Sequence, residues 1–178
     1  MSSEDKPLVN RVASSGLITI RLEEYFPTEP LVPFDLKDYL FMEMVLKEKD
    51  FRAALKAHDW SQYKGKILLV HCSTDAIIPL WAYMLVTVYA EPYAVLVFQG
   101  TSEDFHRQSF QQAIDAMDVS QYEDKRIVVK GCGDKEVPAS AYVELTRRLR
   151  PFAKSIMYGE PCSTVPIYKK AIPRRKPS

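Results

Sequence analysis

The sequence predicts an α/β fold: a mainly parallel sheet flanked by helices, built from an internal duplication of a βαβ unit, with an N-terminal strand-plus-helix extension. Three observations predict it. Shifting the chain by 59 residues lays positions 59–100 on 118–159 without a gap, with 14 identities in 42 aligned positions. Ordinary residue frequencies would give roughly two or three such matches by chance. Each copy reads as a short apolar run, a loop, a proline that opens a helix-length segment, and a second apolar run ending at a glycine. Strands joined by helices imply parallel pairing with right-handed crossovers.

From the N-terminus, residues 1–6 are polar and read as disordered. Leu17-Ile18-Thr19-Ile20-Arg21-Leu22 has the β-branched content of a short strand. Pro27, Pro30 and Pro33 punctuate a loop, and Asp35 is placed to cap the helical segment after it. Over 36–57, Leu36, Leu40, Met44, Phe51, Ala54 and Leu55 recur near helical spacing, which fits one long helix or two shorter ones.

In the repeat, Asp59 matches Asp118, Ser61-Gln62-Tyr63 matches Ser120-Gln121-Tyr122, Pro79 matches Pro138, and Gly100 matches Gly159. The runs at 67–71 and 127–130 have the apolar character of strands buried on both faces. Helices are expected over 79–90 and 138–149, each opened by a proline, whose missing N–H costs nothing in the first turn. Second strands are expected at 95–98 and 155–158, a crossover helix at 102–117, and a tail at 160–178. The organisation expected is a single domain: extension 1–58, first repeat 59–100, crossover 101–117, second repeat 118–159, then the tail. The first repeat helix is apolar nearly all round, which predicts burial inside the monomer in preference to a homodimer interface.

Composition excludes some classes of function. The net charge of +1 gives no global attraction to nucleic acid or membrane. The longest apolar stretch, 77–90, is too short to span a bilayer, and the N-terminus lacks a signal-peptide pattern. Three cysteines, an odd number without small-domain spacing, argue against a disulfide framework and for a reducing cytoplasm.

Ligands of parallel sheets bind at the carboxyl ends of the strands. The expected loops there are Cys72-Ser73-Thr74-Asp75, Gly100-Thr101-Ser102-Glu103, Gly131-Cys132-Gly133-Asp134 and Gly159-Glu160-Pro161-Cys162. All three cysteines and the repeated aspartates Asp75 and Asp134 fall on them. Thiolates favour zinc, iron or an iron–sulfur cluster, so Cys72, Cys132 and Cys162 are the candidate ligands. Asp75, Asp134 and His71 are candidates to complete or support the shell, and His58 is a weaker one. Three free buried cysteines explain the same residues equally well, and an acid before a helix is more often a cap. A cysteine nucleophile is the alternative: Cys72 and Cys132 precede helix N-termini, which lower thiol pKa, although no histidine is clearly placed as base. A small enzyme using Cys132 or Cys162 and a non-catalytic interaction scaffold are therefore the rivals to a metal-binding accessory protein.

Other signals are weaker. No Walker loop or GxGxxG motif is present. Gly131-Cys132-Gly133 reads as a tight turn, and Trp60 and Trp81 as core. The basic residues Lys169-Lys170 and Arg174-Arg175-Lys176 read as a solvated end, with nucleic-acid contact the minor reading.

Several strings carry a family resemblance: Lys47-Glu48-Lys49-Asp50-Phe51-Arg52, His58-Asp59-Trp60-Ser61-Gln62-Tyr63, Trp81-Ala82-Tyr83-Met84 and Tyr142-Val143-Glu144-Leu145-Thr146. The most distinctive runs from Ser155-Ile156-Met157-Tyr158-Gly159-Glu160-Pro161-Cys162 through Ser163-Thr164-Val165-Pro166-Ile167-Tyr168-Lys169. Over nearly its whole length the chain resembles the bacterial domain of unknown function 2480 family. That family has no established activity. The resemblance implies a link, through neighbouring genes in Bacteroidetes, to iron–sulfur assembly proteins as partners and to the handling of iron, sulfur or a cluster.

Overall fold

The structure is a computed structural model that describes residues 16–131, 133–160 and 163–171. In chain order its strands are β1 (Leu17–Ile20), β2 (Leu31–Asp35), β3 (Leu40–Phe41), β4 (Val45–Leu46), β5 (Ile67–His71), β6 (Leu96–Gln99), β7 (Arg126–Val129), β8 (Ser155–Glu160) and β9 (Ser163–Lys169). The helices are α1 (Glu48–Ala57), α2 (Leu80–Ala90), α3 (Ser102–Ala116) and α4 (Ala139–Leu149). The expected mixed α/β architecture with largely parallel strands and flanking helices is present. Its strands are shared between two main sheets, ordered β1-β7-β8-β9 and β2-β5-β6. The chain divides accordingly into two compact units, one formed by 1–26 with 110–178 and the other by 27–109.

In the second unit, β2 and β6 flank β5, all parallel, with Phe34 opposite Val70 and Leu68 opposite Val97. The core sets Phe34, Leu36, Leu68 and Val70 against Phe51 and Leu55 of α1 and Ala82, Val86 and Ala90 of α2. These α2 positions recur every four residues, so one face of the helix meets the sheet. Ile67 and Leu69 point the other way along the strand and pack with Phe105.

In the first unit, β1 and β8 flank β7 in parallel, with Ile20 opposite Val129 and Ile127 opposite Ile156. Ala141, Leu145 and Leu149 of α4 join Phe110, Ile114 and Ile127 in its core. β9 then pairs antiparallel with the outer edge of β8.

Hydrogen bonds recur at positions 59 apart. The Asp59 carboxylate accepts from Ser61 N–H at 3.0 Å and its hydroxyl at 2.6 Å; Asp118 accepts from Ser120 at the same two distances. Each aspartate thereby caps a short 3-10 turn, Trp60–Tyr63 or Val119–Tyr122. Farther on, Glu91 N–H donates to the Thr87 carbonyl and Arg150 N–H to that of Thr146.

The loop expected around Pro27, Pro30 and Pro33 contains β2, whose Pro33 is tolerated because the strand lies at a sheet edge. Four further expectations need correction. The 36–57 segment is not continuous helix: a capped 3-10 turn at Leu36–Tyr39 and the β3–β4 hairpin precede α1. Met42 and Glu43 take φ of 50° and 57° at the hairpin turn, a conformation that no α-helix accommodates. The 160–178 tail contains β9, whose Pro166 is tolerated because the strand lies at a sheet edge. Pro79 and Pro138 are the caps of α2 and α4, with extended ψ of 137° and 136°, rather than their first helical residues. The last correction concerns α2, which is not wholly buried.

Candidate functional site

The carboxyl ends of β5 and β6 lie in the second unit and those of β7 and β8 in the first, so the four candidate loops do not share one sheet edge. At the β5 end, Asp35 accepts from the N–H groups of Lys37 at 2.9 Å and Ser73 at 3.0 Å, tying the end of β2 to the loop after β5. Burial pushes this carboxyl up. The Ser73 hydroxyl, the two N–H groups and nearby His71 outweigh that and hold its pKa below the ordinary value. His71 is half-buried and is the register partner of Asp35. Cys72 is a free, half-buried thiol with Sγ 3.3 Å from Thr74 Oγ1. Burial, and after it the Cys72 thiol, raises the phenol pKa of Tyr83.

Asp75 and Asp134 are exposed, and neither caps a helix, since α2 and α4 begin behind proline caps without a side-chain cap bond. The capping acids are instead Asp35, Asp59 and Asp118. His58 stands away from the strand ends, its ring stacked on Tyr63 with Nε2 2.9 Å from the Tyr63 hydroxyl. Cys132, Cys162 and the tail bases Arg174, Arg175 and Lys176 lie outside the described residues. Among the described residues, no three His, Cys, Asp or Glu side chains are grouped to hold a metal ion.

After β7, Lys130 Nζ lies 3.2 Å from Glu23 and 4.0 Å from Glu160. Two glycines allow close approach there. A Cβ at Gly131 would collide with the Tyr158 ring, and one at Gly133 with the Glu23 carboxylate.

The largest departure from expectation lies on α2. Leu80, Met84 and Val88 are 79%, 69% and 70% exposed, one above another at four-residue spacing, and Ile77 just before them is 91% exposed. The positions 59 residues later are Glu136, Ala139, Val143 and Arg147, an ordinary mixed surface. Beside the start of α2, a groove of about 590 Å³ lies between the β3–β4 hairpin and the 74–79 loop. Met44, Val45, Ala76, Ile77, Glu43 and Asp75 are among its lining residues. Met42, Met44 and Val45 of the hairpin are themselves largely exposed. Such contiguous apolar surface, rich in adaptable methionine, marks a binding face more often than a site of chemistry.

The sequence pattern described as "Protein of unknown function (DUF2480)" matches residues 6–170. The chain belongs to this family. DUF2480 membership thus covers both units and nearly the whole chain, and it brings no activity with it. No curated protein and no solved structure matches this DUF2480 chain. No helix among the described residues of this family member is long and apolar enough to cross a membrane.

Proposed function

We propose that the protein is a non-catalytic interaction module whose second unit holds an apolar segment of a partner polypeptide. We read the two units as copies of one ancestral strand–helix–strand design, so that what the copies share is scaffold and what differs is function. The observation that carries the reading is the exposed stripe of Ile77, Leu80, Met84 and Val88, where the other copy has Glu136, Ala139, Val143 and Arg147. The hairpin that walls the adjoining groove has no counterpart in the first unit among the described elements. Free Cys72 is consistent with a reducing cytoplasm, where an iron–sulfur assembly protein is one candidate partner.

Paired variants test this. Met84→Asp is expected to abolish stoichiometric co-purification of a partner from the native cell while leaving the melting temperature unchanged. Val143→Asp, at the matching exposed position of α4, is expected to leave both unchanged. Identical partner recovery from the two variants sinks the reading.

The metal reading stays second. It rests on Cys72 at the end of β5 together with Cys132 and Cys162, with Asp75, Asp134 or His71 in support. About one zinc or iron per chain in protein purified without chelator, lost in Cys132→Ser, would reverse the order.

A further inference from the structure

We propose that the occupant of this face is a basic amphipathic helix of another protein, with two or three turns of apolar side chains laid along α2 and Lys or Arg at its flanks. The inference rests on the docking role proposed above and specifies its partner.

The argument is one of charge and length. No residue from Leu80 to Ala90 is charged, so the centre of the face offers only apolar contact. From Leu80 to Val88 the stripe runs about 12 Å, two turns of helix, which suits anchors at i, i+4 and i+7 of an incoming helix. Carboxylates stand at both ends of the face. Glu43 and Asp75 line the groove at one end, and Glu91 caps α2 at the other. Of the cations at the groove end, Lys47 Nζ lies 3.3 Å from the centre of the Phe41 ring, and Lys37 Nζ lies 4.0 Å from Glu43. Among the described residues neither Asp75 nor Glu91 joins an ion pair, so negative charge stands at the two ends of an uncharged stripe.

The same charges argue against other occupants. A second copy crossing antiparallel would bring the Glu91 of one molecule toward the Asp75 of the other. A cytoplasmic membrane surface is anionic and would repel both ends. A basic segment is attracted at each end, which raises its association rate and sets its register.

The test uses the full-length protein and two synthetic eighteen-residue helical peptides of one apolar pattern, one built of leucine and lysine, the other of leucine and glutamate. Binding is followed by fluorescence anisotropy at physiological salt. The expected result is saturable binding of the lysine peptide at least tenfold tighter than the glutamate peptide. Met84→Asp is expected to weaken it about tenfold, even though it adds a negative charge that would strengthen purely electrostatic binding. In the double variant Asp75→Lys/Glu91→Lys the preference is expected to invert. Val88→Glu repeats the Met84 test should that variant lose its native circular dichroism.

Equal affinity for the two peptides, with both lost in Met84→Asp, overturns the basic partner and leaves the docking face standing. No binding of either peptide, with a monomer–dimer equilibrium abolished by Met84→Asp, overturns it in favour of a second copy. Binding of the wild type but not Met84→Asp to phosphatidylcholine–phosphatidylserine vesicles, with no peptide bound, overturns it in favour of a membrane. Absence of all three overturns the docking role itself.

Discussion

Gly100, just past β6, and Gly159, near the end of β8, stand 59 residues apart and hold φ of 139° and 123°. Only glycine visits that region freely. A Cβ at Gly159 would lie 2.6 Å from the Ser163 carbonyl oxygen, which is backbone of the strand paired with β8. One at Gly100 would meet the Phe98 ring at 2.8 Å, and a half-buried ring can move. Gly159→Ala is therefore expected to cost about 2 kcal/mol or more, and Gly100→Ala less. Urea denaturation of both variants checks the order; equal losses would contradict it.

The buried face of α4 and the exposed face of α2 should respond differently to substitution. Leu145 is fully buried in α4, so Leu145→Ala is expected to cost about 3 kcal/mol. Met84→Asn and Leu80→Asn on α2 should stay within about 0.5 kcal/mol of the parent, since those side chains already stand in solvent. They should also raise the solubility limit. A large loss at Met84 would show that the stripe is covered within the chain.

Relief of backbone strain gives a third expectation. Met42 and Glu43 are consecutive non-glycine residues in left-handed conformation. Glu43→Gly removes one such penalty and is expected to stabilise the protein by about 0.5–1 kcal/mol. If the hairpin wall serves binding, the same variant should bind the lysine peptide less tightly, since it also removes a groove carboxylate. A more stable variant with unchanged binding would separate the strain from function.

Acid should loosen the β2–β5 junction. The Asp35 carboxyl has a folded pKa below the ordinary value of 3.8, despite burial that alone would raise it. A depressed carboxyl contributes stability that is present above the unfolded pKa and lost as pH falls through the folded one. The stability gap between wild type and Asp35→Asn should therefore be constant near neutrality and shrink as pH falls below about 4. A gap that does not change down to about pH 2 would remove Asp35 from the account of acid unfolding.

The strands β1, β5, β7 and β8 and the helices α2, α3 and α4 were legible because apolar period, proline and glycine agree locally at each. The 36–57 segment misled because Leu36, Leu40 and Met44 fall at helical spacing by coincidence. What breaks the helix is a left-handed Met-Glu pair, and neither residue type advertises that conformation. β9 was hidden by Pro166, which reads as a breaker unless the strand is known to be an edge. The exposure of α2 could not be read from its composition, since an all-apolar helix looks the same whether its own chain or another covers it. The contrast with Glu136 and Arg147, 59 residues on from Ile77 and Val88, was the available signal. Of the expected site residues, the structure sets His71 opposite Asp35 in the β2–β5 register, with Cys72 at the same strand end, and puts Asp75 in the groove.

The division of the chain has a consequence for its synthesis. The second unit is continuous, 27–109, whereas the first must wait: β1 is made early, yet its partner β7 emerges roughly a hundred residues later. On the ribosome the middle of the chain can therefore fold while β1 stays an unmatched edge, with Ile20 and Leu22 lacking their core neighbours. Folding of the intervening unit shortens the effective loop that β1 and β7 must close, which lowers the entropic cost of the last long-range pairing. On the docking role proposed above, the apolar face of α2 can then form before β7 is made, which would let a partner engage the nascent chain.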